Sequence, residues 1–442
     1  MHGYRYVPQL PPGFTFEVFN LAPDYTYPGR IVAVEIDVIG KPLEDKEVTV
    51  QIELHTTGNV FDGARTALFR LFSEVGTYKD VYLGAGCDQA EPQCGTVLTG
   101  SFSISKYAKA GLWQPYQIKL RDWAGNQRFA GSNDFGWKLL VDNPLEDIGP
   151  PSYVPGSMAI SVAVGEEDGR AVQILSTSYL VVEDRMMKQW GGVYARLTSS
   201  AWSNSLQEYG YPGLTPGEEG ECGEIPVGWL CERANITFTL TEFRQPGSYW
   251  VSQIVMQDIA ENEMTTYFTD DPSDEPKVPI DLDFSNPDSE PPELRLSDIT
   301  ITAEPTNPDA PNGETQVQIV YHARDDKSGL GVVNYRLIDP QGGSHFEYHY
   351  HDNFYTTFFD GDPTVFTAYT ISVVLPVGSA PGIWGLESME LSDKVDNKAS
   401  HNFMELVSFD VNEDASGGRR RMQNSSRLEF VVVGPRAHPV RG

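Results

Sequence analysis

The chain has 442 residues, of which 40% are hydrophobic and 21% charged, a composition that suits a folded globular protein and excludes a disordered one. Its 32 Lys+Arg against 62 Asp+Glu give a formal charge of -30, which repels phosphate backbones and anionic lipid heads and argues against nucleic acid or membrane partners. No apolar run reaches the about 18 residues a membrane helix needs, and the opening Met-His-Gly-Tyr-Arg-Tyr lacks the apolar core of a secretory signal.

The first predicted element is a strand. Phe14-Thr-Phe-Glu-Val-Phe-Asn20 alternates apolar and polar residues, and the Ala22-Pro23-Asp24 that follows matches a later strand end around Ile280 to Asp288. Residues 1–23 therefore read as an orphan closing strand of an upstream repeat; the alternative is a strand that pairs into the first domain. Further along, one signature occurs three times: Gly, any residue, Trp or Tyr, eight residues, Asp, three residues, Asn. The copies are Gly111, Trp113, Asp122, Asn126; Gly247, Tyr249, Asp258, Asn262; and Gly382, Trp384, Asp393, Asn397, at offsets of 136 and 135. Composition alone yields one such match at roughly one chance in a hundred, so three in succession are a repeat.

Other landmarks keep their order around the signature. A Val-Gln-Ile strand core stands upstream (Val50 to Ile52, Val172 to Ile174, Val317 to Ile319), then an Arg-Leu step (Arg70-Leu71, Arg196-Leu197, Arg336-Leu337). Alternating strands precede the glycine, and closing strands follow at Trp137 to Val141, Val278 to Phe284 and Leu428 to Val433. The Pro-rich, acidic junctions Asp147-Ile-Gly-Pro-Pro151 and Asp288-Ser-Glu-Pro-Pro292 stiffen the links and forbid ladder hydrogen bonds. The expected fold is all-β: three tandem immunoglobulin-like β-sandwich domains at 24–146, 147–287 and 288–435 in a rod-like array, with 436–442 as a tail.

Within the signature, the aromatic residue reads as a plug between the sheets and Asp-x3-Asn as a turn lock, because an Asp side chain bonds backbone amides beyond it. The competing readings are a sugar-stacking ring and a calcium ligand. Gly-x-Trp with Leu-x-Asp-Trp-Ala-Gly-Asn126, the Asp-x-x-Pro-Pro junctions and Asp326-Lys-Ser-Gly329 resemble tandem bacterial-type immunoglobulin-like and fibronectin-III-like repeats of large secreted or cell-surface proteins. The similarity spans residues 24 to 435, and copy two departs from it with Asp258-Ile-Ala-Glu-Asn262, which lacks the glycine. This resemblance implies spacing, adhesion or assembly and names no ligand.

Two close cysteine pairs, Cys87 with Cys94 and Cys222 with Cys231, are expected to form disulfide loop clips, hence an oxidising, extracellular or cell-surface location. Asn235 and Asn424 head glycosylation sequons. His345, Glu347, His349 and His351 share one face of a strand and form the best zinc or copper candidate, against a plain solvent-facing strand whose aromatic side packs inward. The acidic runs Asp270 to Glu275 and Asp288-Ser-Glu290 flank the second junction, where a stiffening calcium ion would need carboxylates; the alternative is a solvated loop. Arg419-Arg420-Arg421 reads as an exposed basic loop, and no catalytic motif pairs a nucleophile with a base. The expected function is structural and non-enzymatic: a segment that spaces or assembles an appendage, filament or matrix through edge strands shared with neighbouring repeats or copies of itself. The second reading is a protein- or glycan-binding module.

Overall fold

The computed structural model describes residues 10–406 except 21–22, 58–61, 75, 77, 88–93, 132–137, 189–191, 210–213, 219, 308, 310–313 and 351–355, together with the backbone of 409–412 and 421–424. It is all-β, built from antiparallel strand pairs apart from the parallel pairing of Glu263–Thr269 with Glu275–Pro276, with three short 3-10 turns among the described residues. Period-two alternation does the building. In Lys46–Leu54, Val48, Val50, Ile52 and Leu54 are buried while Glu47, Thr49 and Glu53 point outward.

Three large hydrophobic cores result, each containing one signature aromatic, and a smaller cluster of Val172, Phe243, Phe358 and Val395 joins residues of the second and third repeats. The first holds Phe69, Ile118 and Trp113; the second Tyr179, Phe238 and Tyr249; the third Tyr321, Tyr335 and Trp384. We call the regions around them the first, second and third units. In the second and third units the two faces are separate sheets, whereas in the first a pairing of Gly84 with Thr99 joins them into one eight-stranded sheet.

The Arg-Leu landmark has a geometric meaning. Where the strands Thr66–Ser73, Val193–Ser199 and Leu330–Ile338 pair with the signature strands, the register slips at Arg70/Leu71, Arg196/Leu197 and Arg336/Leu337. Tyr116, Ser252 and Glu387 are the residues skipped, so each unit bends at the same β-bulge. The Val-Gln-Ile landmark, by contrast, does not align. Nine residues before the signature glycine stand Phe102, Phe238 and Val373, and their partners are Val48, Leu175 and Val317. Val50 lies two places beyond the first of these and Val172 three before the second.

The first strand has the partner of a closing strand. Thr15–Val18 lies antiparallel to Gly382–Asp393 in the third unit, where the alternative reading had it pair into the first. Val18 faces Gly382 and Phe16 faces Trp384, and both side chains enter the third core. In the other two units the closing strands Leu139–Val141 and Ile280–Leu282 hold this position, setting Val141 opposite Gly111 and Leu282 opposite Gly247. The third unit thus touches the segment that enters the first, and the Asp24 amide there donates to the Gly378 carbonyl at 2.7 Å. Leu428 to Val433, the closing strand expected for the third repeat, and the tail 436–442 lie outside the described residues.

Candidate functional site: the junctions between repeats

Each signature builds one end of a unit and ties it to the chain segment that enters it. Trp113 Nε1 donates to the Lys109 carbonyl (2.8 Å), Tyr249 Oη to Gln245 (2.6 Å) and Trp384 Nε1 to Ala380 (2.7 Å), four residues back in every case. Each large ring is thereby buried with its polar edge satisfied. Gly111 and Gly382 have φ of 104° and 121°, a region closed to side chains, and a Cβ on Gly247 would meet Ser200 Oγ at 3.0 Å.

The Asp-x3-Asn element closes on itself. In all three copies the Asn backbone amide donates to Asp Oδ1 at 2.8 Å, and the Asn side-chain amide donates to Asp Oδ2 at 3.0, 2.7 and 2.7 Å. The residue before Asn is left-handed throughout: Gly125 (φ 91°), Glu261 (φ 70°) and Asp396 (φ 70°). Copies two and three carry an acidic residue in place of the glycine, and each pairs with a cation of the preceding unit: Glu261 with Lys79 at 3.2 Å and Asp396 with Arg244 at 3.6 Å. The Asn side chains also donate to the backbone carbonyls of Asp24 (3.0 Å), Asp147 (3.1 Å) and Asp288 (3.0 Å). Those three Asp residues in turn donate their amides to Gly378, Tyr107 and Phe243. One Asp per junction therefore links the preceding unit to the following one. We expect Asn262→Ala to lower the thermal stability of the first-to-second junction by about 1–3 kcal/mol, since Asp258 and the Asp147 carbonyl lose buried partners; differential scanning calorimetry reads this directly.

Carboxylates accumulate around two of these Asp residues. Asp147 lies with Glu183 and Asp184, and Asp288 with Asp325 and Asp326; in each group one carboxylate oxygen per residue lies within 4.8 Å of the others. Asp147 (3% exposed), Glu183 (1%) and Asp325 (2%) are buried, yet Asp147 Oδ2, Glu183 Oε2 and Asp325 Oδ1 have no hydrogen-bond partner. Burial pushes the carboxyls of Asp147 and Asp325 up to about 6 and that of Glu183 up to about 9, with the neighbouring carboxylates adding to the rise. The two groups are equivalent. Glu183 and Asp325 each stand eight residues beyond the aligned positions Leu175 and Val317, and the same count from Val48 reaches Thr56, followed by Thr57. In the first unit Asp24 interacts with Asp122 and with Asp62, and among the described residues these three form no comparable cluster.

The metal candidates drawn from the sequence fare differently. Asp288 belongs to a cluster, but Glu290 is exposed and contributes its backbone amide to Asp288 Oδ1 (3.2 Å). Asp270 and Asp271 sit in an exposed turn occupied by Lys277 and Ser273. His345 bonds to Asp339 Oδ2 at 3.0 Å and lies 5.0 Å from the Trp384 ring, while the Glu347 side chain and His351 lie outside the described residues. The register sets His345 and His349 opposite buried Leu337 and Val333, while the side chains of Phe346, Tyr348 and Tyr350 lie outside the described residues.

Cys87–Cys94 and Cys222–Cys231 are disulfides with Cα separations of 5.7 and 6.0 Å. Asn235 is exposed on the strand Leu230–Thr241; of the strand Arg421–Asn424 only the backbone is described, and Arg419 and Arg420 lie outside the described residues. Among the described residues no helix is long and apolar enough to cross a membrane. No protein-family model matches the chain, and no curated protein matches it.

Proposed function

We propose that this chain is a structural, non-catalytic segment of an extracellular protein, three immunoglobulin-like β-sandwich domains whose copies join head to tail by exchanging the first strand. The observation that carries this reading is how closely Thr15–Val18 reproduces a closing strand. From Val18, Val141 and Leu282 to the junction residues Asp24, Asp147 and Asp288 the spacing is six residues in every case. Four residues before the junction, Asn143 donates to the Ala108 carbonyl (2.8 Å), and Asn20 donates to the equivalent Ser379 carbonyl (2.8 Å). The segment from residue 10 to Asp24 is thus built to leave a third domain and enter a first one.

Main-chain pairing with pockets for alternate side chains is a general mode of strand addition, and burying Phe16 and Val18 contributes roughly 1.5–3 kcal/mol each. A strand donated to the third domain of the next copy makes the contact heterologous, which propagates as an open array when the rotation does not close. Across such a boundary the Asp24 junction repeats the hydrogen bonds of Asp147 and Asp288. The two disulfides fit an oxidising location.

Light scattering on the full chain refolded from urea over a range of concentrations tests the reading. Growth of species heavier than one chain with concentration is expected, with arrays visible by negative-stain microscopy. Phe16→Asp with Val18→Asp should leave single chains, and excess peptide spanning residues 10–24 should cap the parent. A parent that stays a single chain at every concentration, or a double variant that still assembles, would overturn it.

A further inference from the structure

We propose that the chain holds two calcium ions, one coordinated by Asp147, Glu183 and Asp184 and one by Asp288, Asp325 and Asp326, and that the junction at Asp24 holds none. This goes beyond the assembly reading and does not depend on it.

The ligand set is all oxygen, which suits a hard cation. Calcium is held at about 2.3–2.6 Å, so oxygens on opposite sides of the ion stand about 4.6–5.2 Å apart, and both clusters gather their carboxylates within 4.8 Å. The clusters are more than surface acid. Asp147 Oδ1 is taken by the Gly149 amide (3.0 Å), Glu183 Oε1 by the Arg185 amide (3.0 Å) and Asp325 Oδ2 by the Gly329 amide (2.8 Å). Those backbone bonds fix each carboxylate and leave the second oxygen buried without a partner. A buried, unpartnered carboxylate oxygen is costly, and three of them belong to residues of these two acidic clusters, where a bound cation would satisfy them. Asp258 and Asp393, each locked by its own Asn, add a further negative charge that is felt by Asp147 in the first cluster and by Asp288 and Asp325 in the second.

The third junction supplies an internal control. Thr56 and Thr57 occupy the places of Glu183-Asp184 and Asp325-Asp326, so that junction lacks the acidic pair that makes the other two clusters. The ions would stiffen the links inside one chain and leave the link made by the first strand without metal.

Calcium chloride titrated into the EDTA-treated full chain at neutral pH, followed by calorimetry and equilibrium dialysis, reads the stoichiometry. Two ions per chain are expected, with affinities in the ~10⁻⁴–10⁻³ M range of extracellular modules. Glu183→Gln with Asp184→Asn should bind one, as should Asp325→Asn with Asp326→Asn, and the four-site combination none. Asp270→Asn with Asp271→Asn, on the exposed acidic turn, should still bind two. Melting temperatures keep the test decisive where a variant folds poorly: the neutral variants should melt above the parent in EDTA and below it in calcium. No saturable binding up to about 5 mM calcium, unchanged stoichiometry in the cluster variants, or loss of binding in the exposed-turn variant would each overturn the proposal.

Discussion

Replacing Trp384 by alanine should destabilise the third unit by about 3–5 kcal/mol and also abolish docking of the first strand. The ring is 2% exposed, sits 6.3 Å from Phe16 and 5.0 Å from His345, and faces Phe16 across the strand pair. Its loss opens a cavity on both sides and removes the donor to the Ala380 carbonyl. Trp113 has the same chemistry in the first unit, where Leu139–Val141 supplies the closing strand. Trp113→Ala should therefore cost a similar amount in urea denaturation while leaving assembly intact. Equal loss of assembly in both variants would mean that general destabilisation, and not the seat of the strand, governs association.

Stability of the first unit should fall as pH rises from about 4 to about 8. Asp122 is 2% exposed; burial first, with the Asp24 carboxylate adding to it, pushes its carboxyl from 3.8 up to about 7. A raised folded-state pKa means that the native state binds more protons than the unfolded chain between those two values. The stabilisation is complete below pH 3.8 and is lost as pH climbs through about 7. The limit for a shift of this size is on the order of 4 kcal/mol. Urea denaturation of the first unit at pH 5 and pH 8 measures the difference, and Asp122→Asn should flatten the profile. A parent more stable at pH 8 than at pH 5 would show that this carboxylate is ionised in the fold without penalty.

The all-β class was legible from alternation, and the three cores were legible from the signature, because buried aromatics and turn-locking Asp and Asn must keep their spacing whatever surrounds them. The Arg-Leu step was visible as a landmark, but its meaning was not; a bulge is a mismatch between two strands and cannot be seen in either alone. The acidic pairs were missed for a specific reason. Val-Gln-Ile recurs by chance at non-equivalent places, and aligning on it shifts Glu183-Asp184 out of phase with Asp325-Asp326. Counting from the strand partners of Phe238 and Val373 brings them together. Glu290 looked attractive because it is close to Asp288 in sequence, yet extended backbone carries it outward while the end of a distant strand comes in. The destination of the first strand was hidden too, since closing strands of all the units share one pattern and nothing local says which unit receives it.

Filling that slot from far along the chain bears on how the third unit comes together, because Phe16 and Val18 join a core whose other buried members begin at Leu294. A contact between segments so distant in sequence carries a large loop-closure cost, so the seat beside Trp384 should be the last part of that core to fill during refolding.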